Sequence, residues 1–393
     1  DALYELGNTY VAEGQQTKAL ASYQKLVSVY VNSNYVPKTI LKQGLIYYND
    51  NDTTKALVQF KKVAADFPNS AEALEAVNTA RLIYIDKGNV ADYAAWVKNL
   101  DFIEVTDVEL DNATYESAER QYLQNNTKQA TSGFLTYLAE FPQGLHALKA
   151  NFYLGQMYYA DDLATNAIKH FEYVVSKPKS EFTEQALVRL CEILIKEKNT
   201  TKAVTNLLLL EKNADFPQNK TYAQTNLMKQ YYESENYSEA VKYAQIVLSN
   251  NKVDDRIKSD AQIFIARSAI KTNKEAEAKM AYATLQKTAT GSLAAEATYY
   301  EAYFKNKENK FEASNDVIQK LASQYSGYKY YASKGLLLMA KNYRAMEDNL
   351  NAKVILESLI SNFTQFPDVV EEAKVELSAL TESAAKTNSS IQN

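Results

Sequence analysis

The sequence predicts an all-α solenoid: about ten antiparallel helix pairs in succession, closed by one further helix at the C-terminal end. Three observations predict it. Landmark residues recur with a period near 37. Apolar residues within each period follow helical spacing. Gly and Pro number only 10 and 6 in 393 residues, too few for a chain built from strands and tight turns.

The repeat is found by aligning the chain with itself. Gly7-Asn8-Thr9-Tyr10, Lys18-Ala19-Leu20 and Tyr23 reappear 37 residues later as Gly44-Leu45-Ile46-Tyr47, Lys55-Ala56-Leu57 and Phe60. Following the small residue gives Ala19, Ala56, Tyr93, Ala130, Ala167, Ala203, Ala240, Ala278, Ala313 and Ala352. Four places later stands a bulky apolar residue in most repeats: Tyr23, Phe60, Phe134, Phe171, Leu207, Tyr282 and Leu356. Eight or nine places before the small residue stand Tyr10, Tyr47, Tyr84, Tyr158, Tyr231 and Tyr343. All six prolines fall near the end of a repeat, and four follow Phe, as in Phe67-Pro68 and Phe141-Pro142. Proline there stops one helix and suits the first turn of the next.

Inside repeat five, Ala150, Tyr153, Leu154, Met157 and Tyr158 share one helical face, and Ala167, Ile168, Phe171, Val174 and Val175 share another. The polar break Ala160-Asp161-Asp162-Leu163 separates the two helices. Gly7, Gly44, Gly155 and Ala118 on the first helices are expected to face the small residue of the second, letting two backbones approach closely.

Leu-Gly-x-x-Tyr, then Ala-x-x-x-Phe, then Pro resembles the tetratricopeptide repeat family, over nearly the whole chain. The resemblance implies a right-handed superhelix and a non-catalytic, protein-binding role. The Phe-Pro-x-Ser/Gly turns are similar to those of bacterial cell-envelope assembly proteins, which implies a periplasmic or outer-membrane-associated setting. The family's usual repeat is about 34 residues, two or three shorter than here.

Residues 1–380 therefore read as one solenoid, and the small, polar residues 381–393 as a tail after a capping helix that ends near Leu380. The pattern is irregular over 81–115. Arg81 and Tyr93 replace small residues, which predicts a wider, less buried helix pair. Seven acids follow without a Lys or Arg: Asp101, Glu104, Asp107, Glu109, Asp111, Glu116 and Glu119. They read either as a solvated loop and helix start, with Thr106-x-x-Glu109 as a capping box, or as a hinge or acidic docking edge. The chain opens at Asp1 within a helical pattern, without Met or a leader, and so reads as a piece of a longer protein.

The net charge of −5 supplies no basic field for nucleic acid or anionic lipid. No apolar run reaches the roughly 18 residues of a membrane helix. Phosphate-binding glycine loops and H-E-x-x-H are absent from the sequence. The two histidines, His146 and His170, lack further ligands for a zinc site, and Cys191 occupies a slot that elsewhere holds Gly or Ala. No catalytic, metal or cofactor residue is expected. The expected partner is a protein or peptide, with neither nucleic acid nor direct membrane insertion. The alternative is a regulatory or substrate-recruiting segment of a larger enzyme.

The resemblance also implies where a partner docks, on a concave face lined by the first helices. Carried over, repeat two offers Leu41, Leu45 and Tyr48, and repeat four offers Tyr115, Glu119 and Tyr122. Repeat five offers Phe152, Gln156 and Tyr159, repeat six Val188 and Glu192, and repeat seven Tyr222, Lys229 and Tyr232. Arg267, Lys271, Lys305, Lys341 and Arg344 follow in repeats eight to ten. Tyrosine suits such a face because it combines apolar area, a hydroxyl and few rotatable bonds. The competing expectation is that several of these rings pack against the neighbouring repeat.

Overall fold

A computed structural model describes residues 1–391, and every regular element among them is an α-helix. The chain forms two compact bodies, Asp1–Ile193 and Leu194–Asn393. The first holds five complete helix pairs: α1 (Ala2–Ala12) with α2 (Gln16–Val29), α3 (Val36–Asn49) with α4 (Thr53–Asp66), α5 (Ala71–Lys87) with α6 (Val90–Val97), α7 (Asp107–Leu123) with α8 (Thr127–Glu140), and α9 (Ala147–Ala160) with α10 (Ala164–Val175). The first helix of repeat six, α11 (Thr183–Lys196), carries the boundary between the bodies. The second body continues with α12 (Thr200–Asn213). Its pairs are α13 (Pro217–Glu233) with α14 (Tyr237–Ser249), α15 (Asp255–Lys271) with α16 (Glu275–Leu285), α17 (Gly291–Lys307) with α18 (Phe311–Gln324), and α19 (Lys329–Ala345) with α20 (Asn349–Asn362). It ends with α21 (Pro367–Ile391). This last helix runs past Leu380, where the sequence expectation ended it. No Gly or Pro after Pro367 interrupts it, and the last two residues of the expected tail lie outside the described ones.

One backbone device makes every pair. The residue five places before the small slot has left-handed backbone in all ten repeats: Gly14, Asn51, Gly88, Asn125, Asp162, Lys198, Glu235, Asn273, Asn309 and Glu347. The next amide then reaches back five residues to close the first helix, as in Asp52 N–H to the Tyr47 carbonyl and Leu163 N–H to the Tyr158 carbonyl. This is the αL ending that terminates helices generally. The tyrosine seen nine places before the slot is thus the residue whose carbonyl accepts the closing bond. The residue after the left-handed one starts the second helix. Asp52, Asn199, Asn236 and Asp348 there each accept an amide hydrogen bond from three residues on, a capping contact that stabilises by about 1 kcal/mol.

The same device corrects the register of repeat nine. Five residues after Asn309 stands Ser314, not Ala313. Ser314 is fully buried, whereas Ala313 is part-exposed. The Ser314 hydroxyl donates to the Ala302 carbonyl at 2.8 Å and accepts from Asn342 Nδ2 at 2.9 Å, so a polar side chain fills the slot without an unsatisfied group. The first-helix glycines also differ from expectation. Gly7, Gly44 and Gly155 face the rings of Tyr23, Phe60 and Phe171, the bulky residues after the slot, and not the slot alanine.

Repeat three is irregular, as its sequence suggested, but it is not poorly buried. Helix α6 is only 8 residues long. Tyr93 fills the slot as a buried ring beside Tyr84 and Trp96. The segment after α6 is not wholly solvated: Leu100, Phe102, Ile103 and Val105 pack on Tyr84, Tyr93 and Val97, replacing the missing turns. Thr106 and Glu109 form the expected capping box at the start of α7.

Candidate protein-binding surface

The acidic stretch is largely consumed within the fold. Asp111 is buried and accepts from the Tyr137 hydroxyl at 2.6 Å and the Leu145 amide at 2.8 Å. Glu116 pairs with Arg81, and Glu109 serves the capping box. Glu119 accepts from the Tyr115 hydroxyl at 2.9 Å and from Lys149 at 2.7 Å.

Two expected partner-contacting rings are core residues. Tyr115 is 2% exposed because His146, from the next repeat, stacks on it at 4.2 Å while Tyr137 meets its edge. Phe152 is 6% exposed because Phe182 of the following linker covers it at 4.8 Å. Neither is available to a partner. In both cases the covering ring comes from a neighbouring repeat, a contact that spacing within one repeat does not reveal. Leu41 is likewise buried.

The remaining expected residues of the first body are half-buried, and several form a connected strip across α7, α9 and α11. Tyr122 stacks on Tyr153 at 4.5 Å. Lys149 lies over the Tyr115 and Tyr153 rings while paired to Glu119, and that hydrogen bond holds its ammonium pKa above the ordinary value. Further along, the Tyr159 hydroxyl donates to Glu192 Oε2 at 2.9 Å, and Arg189 both pairs with Glu192 and lies over the Tyr159 ring. Glu192 accepting that bond is the main cause raising the Tyr159 phenol. Gln156 lies one turn before Tyr159, and Tyr48 packs on the core of repeat two. Lys149, Tyr153 and Arg189 were not expected. Their only sequence signal is a complementary charge or ring about 30 residues, or three residues, away.

In the second body, Tyr222 and Lys229 line an open cleft of about 830 Å³ between α13 and the start of α15. Tyr232 instead packs edge-on against Phe264 at 5.0 Å, and burial is the main cause raising its phenol. The cations expected in repeats eight to ten are mostly paired: Arg267 with Glu296, Lys341 with Glu372 and Glu376, and Arg344 with Glu376.

Cys191 is fully buried, and burial pushes its thiol up to about 12, so it behaves as a small apolar residue. Among the described residues, no group of three or more His, Cys, Asp or Glu is placed to hold a metal ion. No described helix is long and apolar enough to cross a membrane.

The family model described as "Tetratricopeptide repeat" matches residues 1–33 and 38–70, which are the first two helix pairs. Those two pairs are tetratricopeptide repeats. The αL turn and filled slot carry the same construction through all ten repeats. Among solved structures, the chain is similar to the P58(IPK) tetratricopeptide domain, at 15% identity over 98% of each chain with a TM-score of 0.30. It is also similar to yeast Tom70, at 11% identity over 98% of each chain with a TM-score of 0.35. A tetratricopeptide repeat protein from Parabacteroides merdae aligns at 13% identity over 67% of this chain and 98% of its own, with a TM-score of 0.35. No curated protein matches the chain. The tetratricopeptide architecture is that of protein–protein interaction scaffolds.

Proposed function

We propose that the protein is a non-catalytic scaffold that captures a peptide or protein segment on the first-helix strip of repeats four to six. The observation that carries this reading is the strip itself. Tyr122, Tyr153 and Tyr159 alternate with the pairs Glu119–Lys149 and Arg189–Glu192, all half-buried and linked from α7 through α9 to α11. Held rings lose little freedom on binding, and part-exposed ion pairs can exchange partners with an incoming chain. The net charge of −5 and the lack of a recurring basic stripe favour a protein over nucleic acid. The Phe-Pro turns favour a bacterial envelope setting, which fractionation of the source cells tests.

The direct experiment is selection of a random phage-displayed peptide library on the intact chain. Selected peptides should lose about tenfold or more in affinity on Tyr159→Ala and Gln156→Arg, a cost typical of interface anchors, with the helical circular dichroism unchanged. Peptides that bind both folded variants as tightly as the parent would move the site elsewhere.

A further inference from the structure

The cleft between α13 and α15 gathers three cations around one space. Several first-helix cations elsewhere are neutralised in place: Lys149 by Glu119, Arg189 by Glu192, Arg267 by Glu296, and Lys341 by Glu372. In the cleft, Lys229, Lys252 and Arg256 enter no ion pair among the described residues, although all three line one space of about 830 Å³. The first residues of α13, Pro217 and Gln218, form the cleft's edge, so the amide end of that helix borders the same space. Of the two acids present, Asp254 is committed to the Ile257 amide at 2.9 Å as the cap of α15. Asp260 remains, one turn beyond Arg256. Between the charges Pro217, Val253 and Ile257 give apolar surface beside Thr221, Thr225, Asn226 and Asn250.

We propose that this cleft is a second binding site, separate from the strip on repeats four to six, and that its occupant is an extended segment of a partner protein carrying acidic side chains next to apolar ones. Three unpaired cations and a helix N-terminus provide for the acids. The apolar surface provides for their neighbours, and a buried apolar contact is what distinguishes this site from plain counter-ion attraction. Three cations against Asp254 and Asp260 leave the cleft net positive, which disfavours a basic segment.

The test uses the whole chain and a fluorescein-labelled peptide of alternating Glu and Leu with an amidated C-terminus, followed by fluorescence anisotropy. It should bind, and Lys229→Glu or Arg256→Glu should each weaken it about tenfold. Tyr159→Ala should leave it unchanged, which separates this site from the strip. A Lys–Leu peptide should not bind. Any of four results overturns the proposal: equal binding of a Glu–Ser peptide, equal binding of an oligonucleotide of the same charge, full displacement by inorganic phosphate, or unaltered affinity in both charge-reversed variants once circular dichroism shows them folded.

Discussion

Gly155 lies against Phe171: a Cβ added to it would stand 2.6 Å from the ring's Cε1. The same holds for Gly7 against Tyr23 and Gly44 against Phe60. These rings are 0% exposed and lie between the two helices of each pair, so the ring can sit there only because the facing residue has no side chain. Gly155→Ala should therefore cost about 1–3 kcal/mol as an overpacking change, even though alanine favours helix by about 1 kcal/mol in an open position. Ala167→Leu, at another fully buried site, should cost a similar amount. Gly327, with nothing within 4 Å of its added Cβ, is the control and should lose little. Urea unfolding followed by circular dichroism measures all three. A Gly155→Ala protein as stable as the parent would refute the packing account.

Glu296 is a buried carboxylate with every oxygen occupied. Arg267 donates from Nε to Oε1 at 2.9 Å and from Nη2 to Oε2 at 2.5 Å, while Tyr282 and Tyr331 add one hydroxyl each. Burial pushes this carboxyl up, but the four donors outweigh it and hold the group below its ordinary range. The stability it brings is present above the ordinary carboxyl value and is lost as pH falls through its folded value. Arg267→Met should cost about 3–5 kcal/mol, because it strands a buried charge. Glu296→Gln alone should also destabilise, yet added to Arg267→Met it should restore part of the loss. A double-variant unfolding cycle decides this, and strictly additive losses would contradict it.

Much of this was legible in the sequence because the repeat is written in small and bulky residues, and those are what pack. The period, the ten pairs and the irregular third repeat follow from that pattern. Ser314 escaped because a buried hydroxyl bonded to the Ala302 carbonyl does the work of a methyl, and apolarity does not flag it. The candidate surface was only partly legible. Whether Tyr115 or Tyr159 faces a partner depends on what the next repeat lays over it: His146 covers the first, and Glu192 with Arg189 only flanks the second.

His170 is 5% exposed, stacked on Tyr158 and hydrogen-bonded through Nδ1 to Asn151 Oδ1 at 2.8 Å. Asn151 Nδ2 donates to the Ala147 carbonyl, so its oxygen faces the ring and Nδ1 carries the proton of a neutral imidazole. Burial lowers this histidine from 6.5 to about 4. Between those values the unfolded chain binds a proton that the folded chain does not, so stability declines as pH drops from about 6.5 toward 4. The expected loss is on the order of 2 kcal/mol, less than the full shift implies because solvent screens part of it. Proton NMR of the His170 ring should find it neutral at pH 5.5, a condition chosen to be about midway in this window. A His170 titrating at its ordinary value would rule out this origin for acid sensitivity.

The left-handed turn residues lead to a prediction of opposite sign. Eight of the ten are not glycine, and Glu235 and Glu347 are exposed acids with φ of 61° and 62°. Left-handed backbone costs a residue bearing a Cβ about 1–2 kcal/mol. Asparagine and aspartate bear it more easily than glutamate, since their short side chains bond locally. Glycine removes that strain but gains freedom in the unfolded chain, which offsets about 0.5–1 kcal/mol. Glu235→Gly and Glu347→Gly should therefore stabilise the protein slightly, by up to about 1 kcal/mol each, and independently, because the two turns lie three repeats apart and share no partner. Glu347→Ala keeps the Cβ and should bring no gain. Urea midpoints of the three variants test this. If the glycine variants unfold earlier than the parent while the alanine variant does not, the turn is not strained and the glutamates stabilise it by a contact of their own.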